Sequence, residues 1–134
     1  MKEPINEYIK MTATEAVARL RSREISPLDL VEASIQRIEA VDSKVNALPI
    51  HCFEQARSQA KSFNYMAHSD NPKSLCGLPI AVKDYNDLDG ALTTYGSPIF
   101  SKNVVQKSDA TVRQLETNGA IGIAKSNVPE WAGG

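Results

Sequence analysis

The segment at positions 77–84, GLPIAVKD, constrains the fold of this chain more than any other. A glycine and a proline lead into the short apolar run 80–82, which predicts a buried β-strand. Lys83 and Asp84 follow at the carboxyl end of that strand. By itself, a Lys–Asp pair after a strand is most often a solvated turn. In open α/β sheets, however, ligands and catalytic groups collect at the carboxyl ends of strands, which makes this pair a candidate site.

Apolar residues recur at helical spacing in three stretches of residues 1–70, which we call the helical lead-in. The second helix has the clearest start, because Ser26 suits the N-cap position and Pro27 suits the first helical position. The third helix is predicted to fade near Met66. Stripes of this kind most often pack into a core, and we interpret them in that way.

Residues 71–134 are predicted to begin an α/β core. After strand 80–82 comes a long irregular stretch to about Lys107, then a helix that ends at Gly119 and a second apolar strand at 120–124. Strand, helix and strand form a parallel βαβ unit. Because parallel strands are normally covered on both faces, we expect further sequence to complete the sheet.

Composition narrows the function classes. The 134 residues fit one small domain, and 15 basic against 16 acidic residues give a formal net charge of -1. No basic face is implied, so neither nucleic acid nor a membrane is expected as a partner. The two cysteines form no CxxC pair and are expected to be free thiols in a reducing compartment. The charged residues 1–7 do not resemble a signal peptide, so a cytoplasmic location is predicted.

No metal, cofactor or nucleotide site is predicted. The two histidines, His51 and His68, lie outside any metal-ligand spacing, and the glycines form neither a GxGxxG nor a Walker pattern. Asp84, Asp87 and Asp89 form an acidic cluster without a second set of carboxylates. We interpret that cluster as a solvated loop rather than as a metal or glycosidase site.

Neither Ser97 nor Ser126 is predicted to be a nucleophile. Ser97 is followed by Pro98 and does not complete a G-x-S-x-G elbow. Ser126 adjoins Lys125, and adjacent residues on a strand point to opposite faces. The two therefore do not form a base–nucleophile pair.

Five motifs in a fixed order carry a resemblance to a known family. They are residues 77–84 (GLPIAVKD), 93–98 (TTYGSP), 108–112 (SDATV), 118–121 (NGAI) and 125–130 (KSNVPE). In this order they resemble the opening third of the amidase signature family, whose usual start the helical lead-in also matches. The resemblance implies a mixed sheet flanked by helices. It also implies that residues 1–134 are the N-terminal portion of a single amidase signature domain.

The resemblance implies a catalytic role for Lys83. Enzymes of the family hydrolyse amides through a Ser–cis-Ser–Lys triad, in which a neutral lysine accepts a proton relayed by a bridging serine. Lys83 matches that lysine, whereas the two serines and the oxyanion loop would lie beyond Gly134. We therefore expect amide hydrolysis of the parent enzyme and no activity of the 134-residue chain alone.

Further expectations follow from the same resemblance. Trp131 and Ala132 fall where relatives begin to line the acyl pocket, so both are predicted substrate contacts. Residues 84–87 and 94–100 look more like the free-standing amidases than the A-type amidotransferase subunits of the family. The expected partner is a small-molecule amide, and a homodimeric parent is left open. The alternative functions are a truncated product or interaction fragment without catalysis and, within the family, an A-type amidotransferase subunit.

Overall fold

The computed structural model describes residues 7–134, in which helices pack around a small mixed sheet. The α-helices and strands are α1 (Ala13–Arg21), α2 (Pro27–Val45), β1 (Ile50–His51), α3 (Phe53–Lys61), β2 (Pro79–Lys83), α4 (Ala110–Thr117) and β3 (Ile121–Ser126). Single 3-10 turns occur at Pro98–Phe100 and Glu130–Ala132. The fold class is therefore α/β, as the sequence predicted.

The second helix begins where its capping residue places it. Ser26 accepts a hydrogen bond from the backbone N–H of Asp29, whose side chain accepts one in return, so α2 starts with a capping box. Helix α3 ends at Lys61, earlier than the predicted fading near Met66. Beyond the C-cap Ser62 the chain turns, and the side chain of Asn64 accepts a hydrogen bond from the backbone N–H of Ala67.

Strand β3 lies in the middle of the sheet, with β2 parallel on one side and β1 antiparallel on the other. The strands β2 and β3, with α4 between them, confirm the predicted parallel βαβ unit. Strand β1 was not predicted, because its two residues, Ile50 and His51, are too few to show an alternating pattern. It makes the sheet mixed.

The two predicted strands differ in burial. Five successive residues of β3, from Ile121 to Lys125, are buried, whereas Ala81 and Lys83 on β2 are exposed. The prediction that 80–82 is a buried strand is therefore wrong for one face. Within the part of the chain that the structure describes, β2 pairs on one side only, and alternation turns Ala81 and Lys83 toward solvent.

Apolar contacts cover both faces of β3. One cluster joins α2, α3 and β3, and its buried members are Val31, Ile35, Ile38, Ala56, Ala60, Ile121, Ile123 and Ala124. A second cluster surrounds Leu88 and Val112. Gly122 faces Leu88 so closely that an added Cβ would come within 2.8 Å of the leucine side chain. Close packing on both sides fixes β3 as the rigid centre of the domain.

The long irregular stretch between β2 and α4 is held by its own backbone. Gly90 donates to Val105, Val105 donates to Ala91, and Thr93 donates to Asn103. These bonds make residues 90–105 a closed, ordered loop.

No helix within residues 7–134 is long and apolar enough to cross a membrane. Both cysteines, Cys52 and Cys76, are buried and free, as predicted. The prediction that residues 1–7 are not a signal peptide concerns positions that, except for Glu7, lie outside the described residues.

Candidate functional site

The carboxyl ends of β2 and β3 bring two lysines to one edge of the sheet, on opposite faces. In the strand register Val82 lies beside Lys125, and Lys83 lies beside Ser126. Neighbours in register point to the same face, and successive residues alternate. Asp84 continues the pairing by donating its N–H to the carbonyl of Ser126 at 3.0 Å. One face therefore carries Asp84 and Lys125, and the other carries Lys83 and Ser126.

Lys83, the predicted catalytic residue, lies on the exposed face at this edge. Its carbonyl accepts the N–H of Asn86 at 2.9 Å, which closes the turn after β2. The half-buried Ser126 is its neighbour on β3, at the usual strand spacing of about 4.8 Å. The backbone of Lys83 is thus fixed, while its side chain remains open to other groups.

The opposite face holds a buried ion pair. Lys125 is 0% exposed, and its ammonium lies 3.1 Å from a carboxylate oxygen of Asp84, which is 2% exposed. The same ammonium donates to the hydroxyl of the buried Thr93 at 2.9 Å. The interpretation of Asp84 as part of a solvated loop is therefore wrong. A buried ammonium needs a counter-charge close by, and Asp84 supplies it.

Asp84 also receives hydrogen bonds from the loop. The N–H of Thr94 donates to both carboxylate oxygens, at 3.1 and 3.2 Å, and the Thr94 hydroxyl donates to one of them. The hydroxyl of Thr94 in turn accepts the N–H of Gly96 at 3.2 Å. One carboxylate therefore joins the ends of β2 and β3 to the loop at 93–96.

Sequence reasoning missed Lys125, Thr93 and Thr94 as parts of this edge. The signal was present for Lys125, because it directly follows the apolar run 120–124 and extending that strand by one residue includes it. The two threonines come from a loop, where no periodicity predicts which side chains turn inward.

Trp131, a predicted substrate contact, belongs to an aromatic cluster with Tyr95 and Phe100. Its ring stacks on Tyr95 with centroids 5.2 Å apart, and both rings meet Phe100 edge-on at 5.2 Å. The backbone N–H of Trp131 donates to the Tyr95 carbonyl at 2.7 Å. Trp131 remains 51% exposed, and the neighbouring Ala132 is half-buried. The cluster therefore offers a partly open apolar surface.

Gly96 allows the loop to approach the segment that carries Trp131. Its φ is +74°, and an added Cβ would lie 2.7 Å from the carbonyl oxygen of Val128 and 2.8 Å from that of Pro129. Because both atoms belong to the backbone, a side chain at this position could be accommodated only by moving the chain. The contact fixes the aromatic cluster next to the strand ends.

A cavity of about 370 Å³ adjoins the buried network, with Asp84, Thr94, Ser97 and Asn127 in its wall. A larger cavity of about 780 Å³ lies between β1, α3 and residues 90–92, and its lining includes neither Lys83 nor Asp84. We place the candidate site at the exposed strand edge that carries Lys83, next to Asp84, which reaches the wall of the smaller cavity.

The remaining candidates have local roles. His51 stacks on Phe53, and His68 hydrogen-bonds through its ring to the hydroxyl of Ser74 at 2.7 Å. Ser97 is buried and accepts the N–H of Ile99 within its own turn. Among residues 7–134, no three His, Cys, Asp or Glu side chains gather as a metal site.

Tyr95 is perturbed by its acidic neighbours. Its hydroxyl donates to a carboxylate oxygen of Asp87 at 2.6 Å. That hydrogen bond favours the protonated phenol and, with burial and the charges of Asp87 and Asp109, raises the pKa of Tyr95 to about 12.

The comparisons with known proteins agree on one family. The family model Amidase matches residues 29–134. The A-type subunit of the glutamyl-tRNA(Gln) amidotransferase of Anaeromyxobacter dehalogenans is 36% identical over 135 residues, which cover 100% of this chain and 27% of that protein. An acylamidase of Rhodococcus erythropolis is 31% identical over 121 residues, covering 90% of this chain and 25% of that protein. The chain thus spans about a quarter of the length of these relatives.

The structure is also similar to solved amidase structures. The native peptide amidase of Stenotrophomonas maltophilia superposes with a TM-score of 0.81 at 24% sequence identity, covering 94% of this chain and 26% of that one. This similarity confirms the predicted fold class, an α/β arrangement found within the amidase signature architecture.

We expect Asp87→Asn to lower the pKa of Tyr95 toward its ordinary value near 10, because a neutral amide no longer opposes the phenolate. The hydrogen bond from the Tyr95 hydroxyl to Asp87 stabilises the wild-type fold below about pH 10, and this contribution is lost as pH rises toward 12. Ring-labelled tyrosine NMR, assigned with Tyr95→Phe, measures the titration. Asp89→Asn is the control and should leave the titration unchanged. An unshifted Tyr95 in Asp87→Asn would contradict the assignment.

Proposed function

We propose that this chain, which belongs to the amidase family, is the N-terminal portion of a single-domain enzyme that hydrolyses a carboxylic amide outside peptide bonds. The observation that carries the proposal is Lys83, held at the carboxyl end of β2 with its side chain on the open face of the sheet. In this proposal the domain begins with the helical lead-in, residues 1–70, followed by the start of the α/β core at 71–134. The rest of the domain would follow residue 134.

Lys83 would act as the general base of a Ser–cis-Ser–Lys triad. Its neutral amine accepts the proton of the nucleophilic serine through the bridging serine, while the serine oxygen attacks the amide carbon. The C–N bond then breaks, the amine leaves with a proton, and water hydrolyses the acyl-enzyme. Both serines would come from the part of the enzyme outside this chain. The exposed edge beside Lys83 supports this arrangement, since it leaves space for them.

Trp131 and Ala132 would contact the acyl group of the substrate. The aromatic cluster supports this role, because Trp131 is held by Tyr95 and Phe100 yet keeps half of its surface open. A rigid, partly exposed aromatic surface binds an apolar group at low entropic cost.

The partners we propose follow the same chemistry. A small-molecule amide is the substrate, no cofactor is required, and the enzyme is a cytoplasmic protein that contacts neither nucleic acid nor membrane. The near-neutral formal charge of -1 supports the absence of a nucleic-acid surface. A homodimer is compatible with this proposal.

An A-type amidotransferase subunit is the second candidate, supported by the amidotransferase relative that is 36% identical over the whole chain. The two candidate functions differ in whether the protein acts alone. A free-standing amidase hydrolyses simple amides as a single chain, whereas an amidotransferase component depends on its partner subunits. Assaying the purified full-length protein alone separates them. The mass of the native protein separates both from a truncated product, since an enzyme should be several times longer than this chain.

In the full-length enzyme, Lys83→Ala should abolish amide hydrolysis and still allow the protein to fold, because Lys83 lies outside the apolar clusters that hold residues 7–134 together. Lys83→Arg should fail almost as severely, since a guanidinium stays protonated and accepts no proton. The exposed lysine on α3 provides the control, and Lys61→Ala should retain full kcat. Near-wild-type turnover by Lys83→Ala would refute the role of the base.

The 134-residue chain purified alone should show no turnover of a simple aryl amide and no labelling by a serine-directed fluorophosphonate. Triad members act as a unit, so a base without its nucleophile supplies no covalent catalysis. The full-length enzyme is the positive control for both assays. Turnover that the fluorophosphonate blocks in the short chain would show that its own serines suffice.

Trp131→Ala in the full-length enzyme should raise KM for an amide with an aromatic acyl group by roughly tenfold, the usual order for losing one aromatic contact. Trp131→Phe should retain most of the affinity, because it preserves a flat apolar ring. Ile99, which is 82% exposed, gives the control Ile99→Ala. If Trp131→Ala leaves KM unchanged, the aromatic cluster has only a structural role.

A further inference from the structure

We propose that the buried Lys125–Asp84 ion pair, with Thr94, is a positioning device for Lys83. The inference rests on the proposed function, in which Lys83 accepts a proton. It assigns a role to charged groups that the proposed chemistry does not otherwise use.

The first argument is connectivity. Asp84 directly follows Lys83, and its carboxylate accepts from the Lys125 ammonium at 3.1 Å, from the Thr94 N–H at 3.1 and 3.2 Å and from the Thr94 hydroxyl. Its own N–H is bound to Ser126 at 3.0 Å. With both its backbone and its side chain held, Asp84 has no freedom to rotate, and the peptide unit that carries Lys83 is fixed with it.

The second argument is the division between faces. Strand alternation places Lys125 and Asp84 on the covered face and Lys83 on the exposed one. At 0% and 2% exposure, the paired residues offer almost no surface to a substrate, although Asp84 contributes to the wall of the smaller cavity. Their direct connection to Lys83 is the backbone, through which they hold its position, so we class them as positioning residues rather than catalytic ones.

The third argument concerns free energy. Two charges removed from water gain little net stability from each other, and an apolar pair of similar volume often serves a fold equally well. Hydrogen bonds and ion pairs depend on direction, whereas apolar contacts do not. They can therefore select one backbone geometry among several that pack equally densely. The network at this strand end therefore contributes more to the orientation of the backbone at Lys83 than to the stability of the fold.

The matched test uses Thr94, whose half-buried side chain tolerates change, in the full-length enzyme. Thr94→Val keeps the shape but removes the hydroxyl, and it should lower kcat by roughly tenfold with KM within about threefold, as expected of a misplaced group. Thr94→Ser keeps the hydroxyl and loses a methyl, and it should restore most of kcat relative to the valine variant. A packing role predicts the reverse order, so a serine variant worse than the valine variant overturns the proposal.

A second test removes the charges together. Asp84→Asn with Lys125→Met leaves no unpaired buried charge, so it should unfold close to the wild-type temperature while kcat falls at least tenfold. The control is Asp70→Asn with Lys61→Met, at exposed positions, with wild-type kcat expected. If the buried double variant folds and keeps kcat within about threefold of wild type, the proposal is wrong. If it does not fold, the two Thr94 variants decide the outcome.

Lys83→Ala, assayed in the same series, separates a failure of the proposed general base from a failure of the positioning role. Retained activity in that variant would refute the proposed base and, with it, this inference. Loss of activity in Lys83→Ala, together with unchanged kcat in Thr94→Val and in the buried double variant, would refute the positioning role alone.

Discussion

The burial of the Lys125 ammonium is the constraint on which the strand-end geometry depends. With none of its side chain exposed, Lys125 must have a counter-charge and a further acceptor, which Asp84 and Thr93 provide at 3.1 and 2.9 Å. Asp84 comes from the end of β2 and Thr93 from the following loop. Satisfying one charge therefore fixes the relation between the central strand, its parallel neighbour and the loop. Displacing any one of them would leave a buried polar group unpaired.

Alternation along a strand explains how one edge can be both rigid and open. Asp84 faces the covered side, where its carboxylate is fully paired, and Lys83 faces the side where β2 is exposed. A lysine that acts as a general base, the role we propose for Lys83, needs a fixed backbone position and an accessible amine. Neighbouring positions on one strand provide both, because the bonds that hold the backbone do not occupy the side chain of Lys83.

The sequence predicts those parts of the molecule that follow from local chemistry. The helix start at Ser26 was predicted from its capping residue, and the βαβ unit from the spacing of apolar residues. Both signals are local in the sequence. The burial of Asp84 could not be predicted in this way, because its partner Lys125 is 41 residues distant and acidic clusters in loops are usually solvated. The two-residue β1 was missed for a related reason: its pairing depends on β3, with no pattern of its own.

The order of the loop after β2 bears on where the rest of an amidase domain would make contact. Residues 90–105 are closed by backbone bonds among themselves, and Gly96 fits against the carbonyls of Val128 and Pro129. The covered side of the strand ends is thus built from groups within residues 7–134. The chain covers about a quarter of its relatives' length. Under the proposed function, the rest of the domain would pack on the exposed face of β2, which carries Lys83. A proton-relay partner for Lys83, as we propose it, would then approach from the face opposite the ion pair.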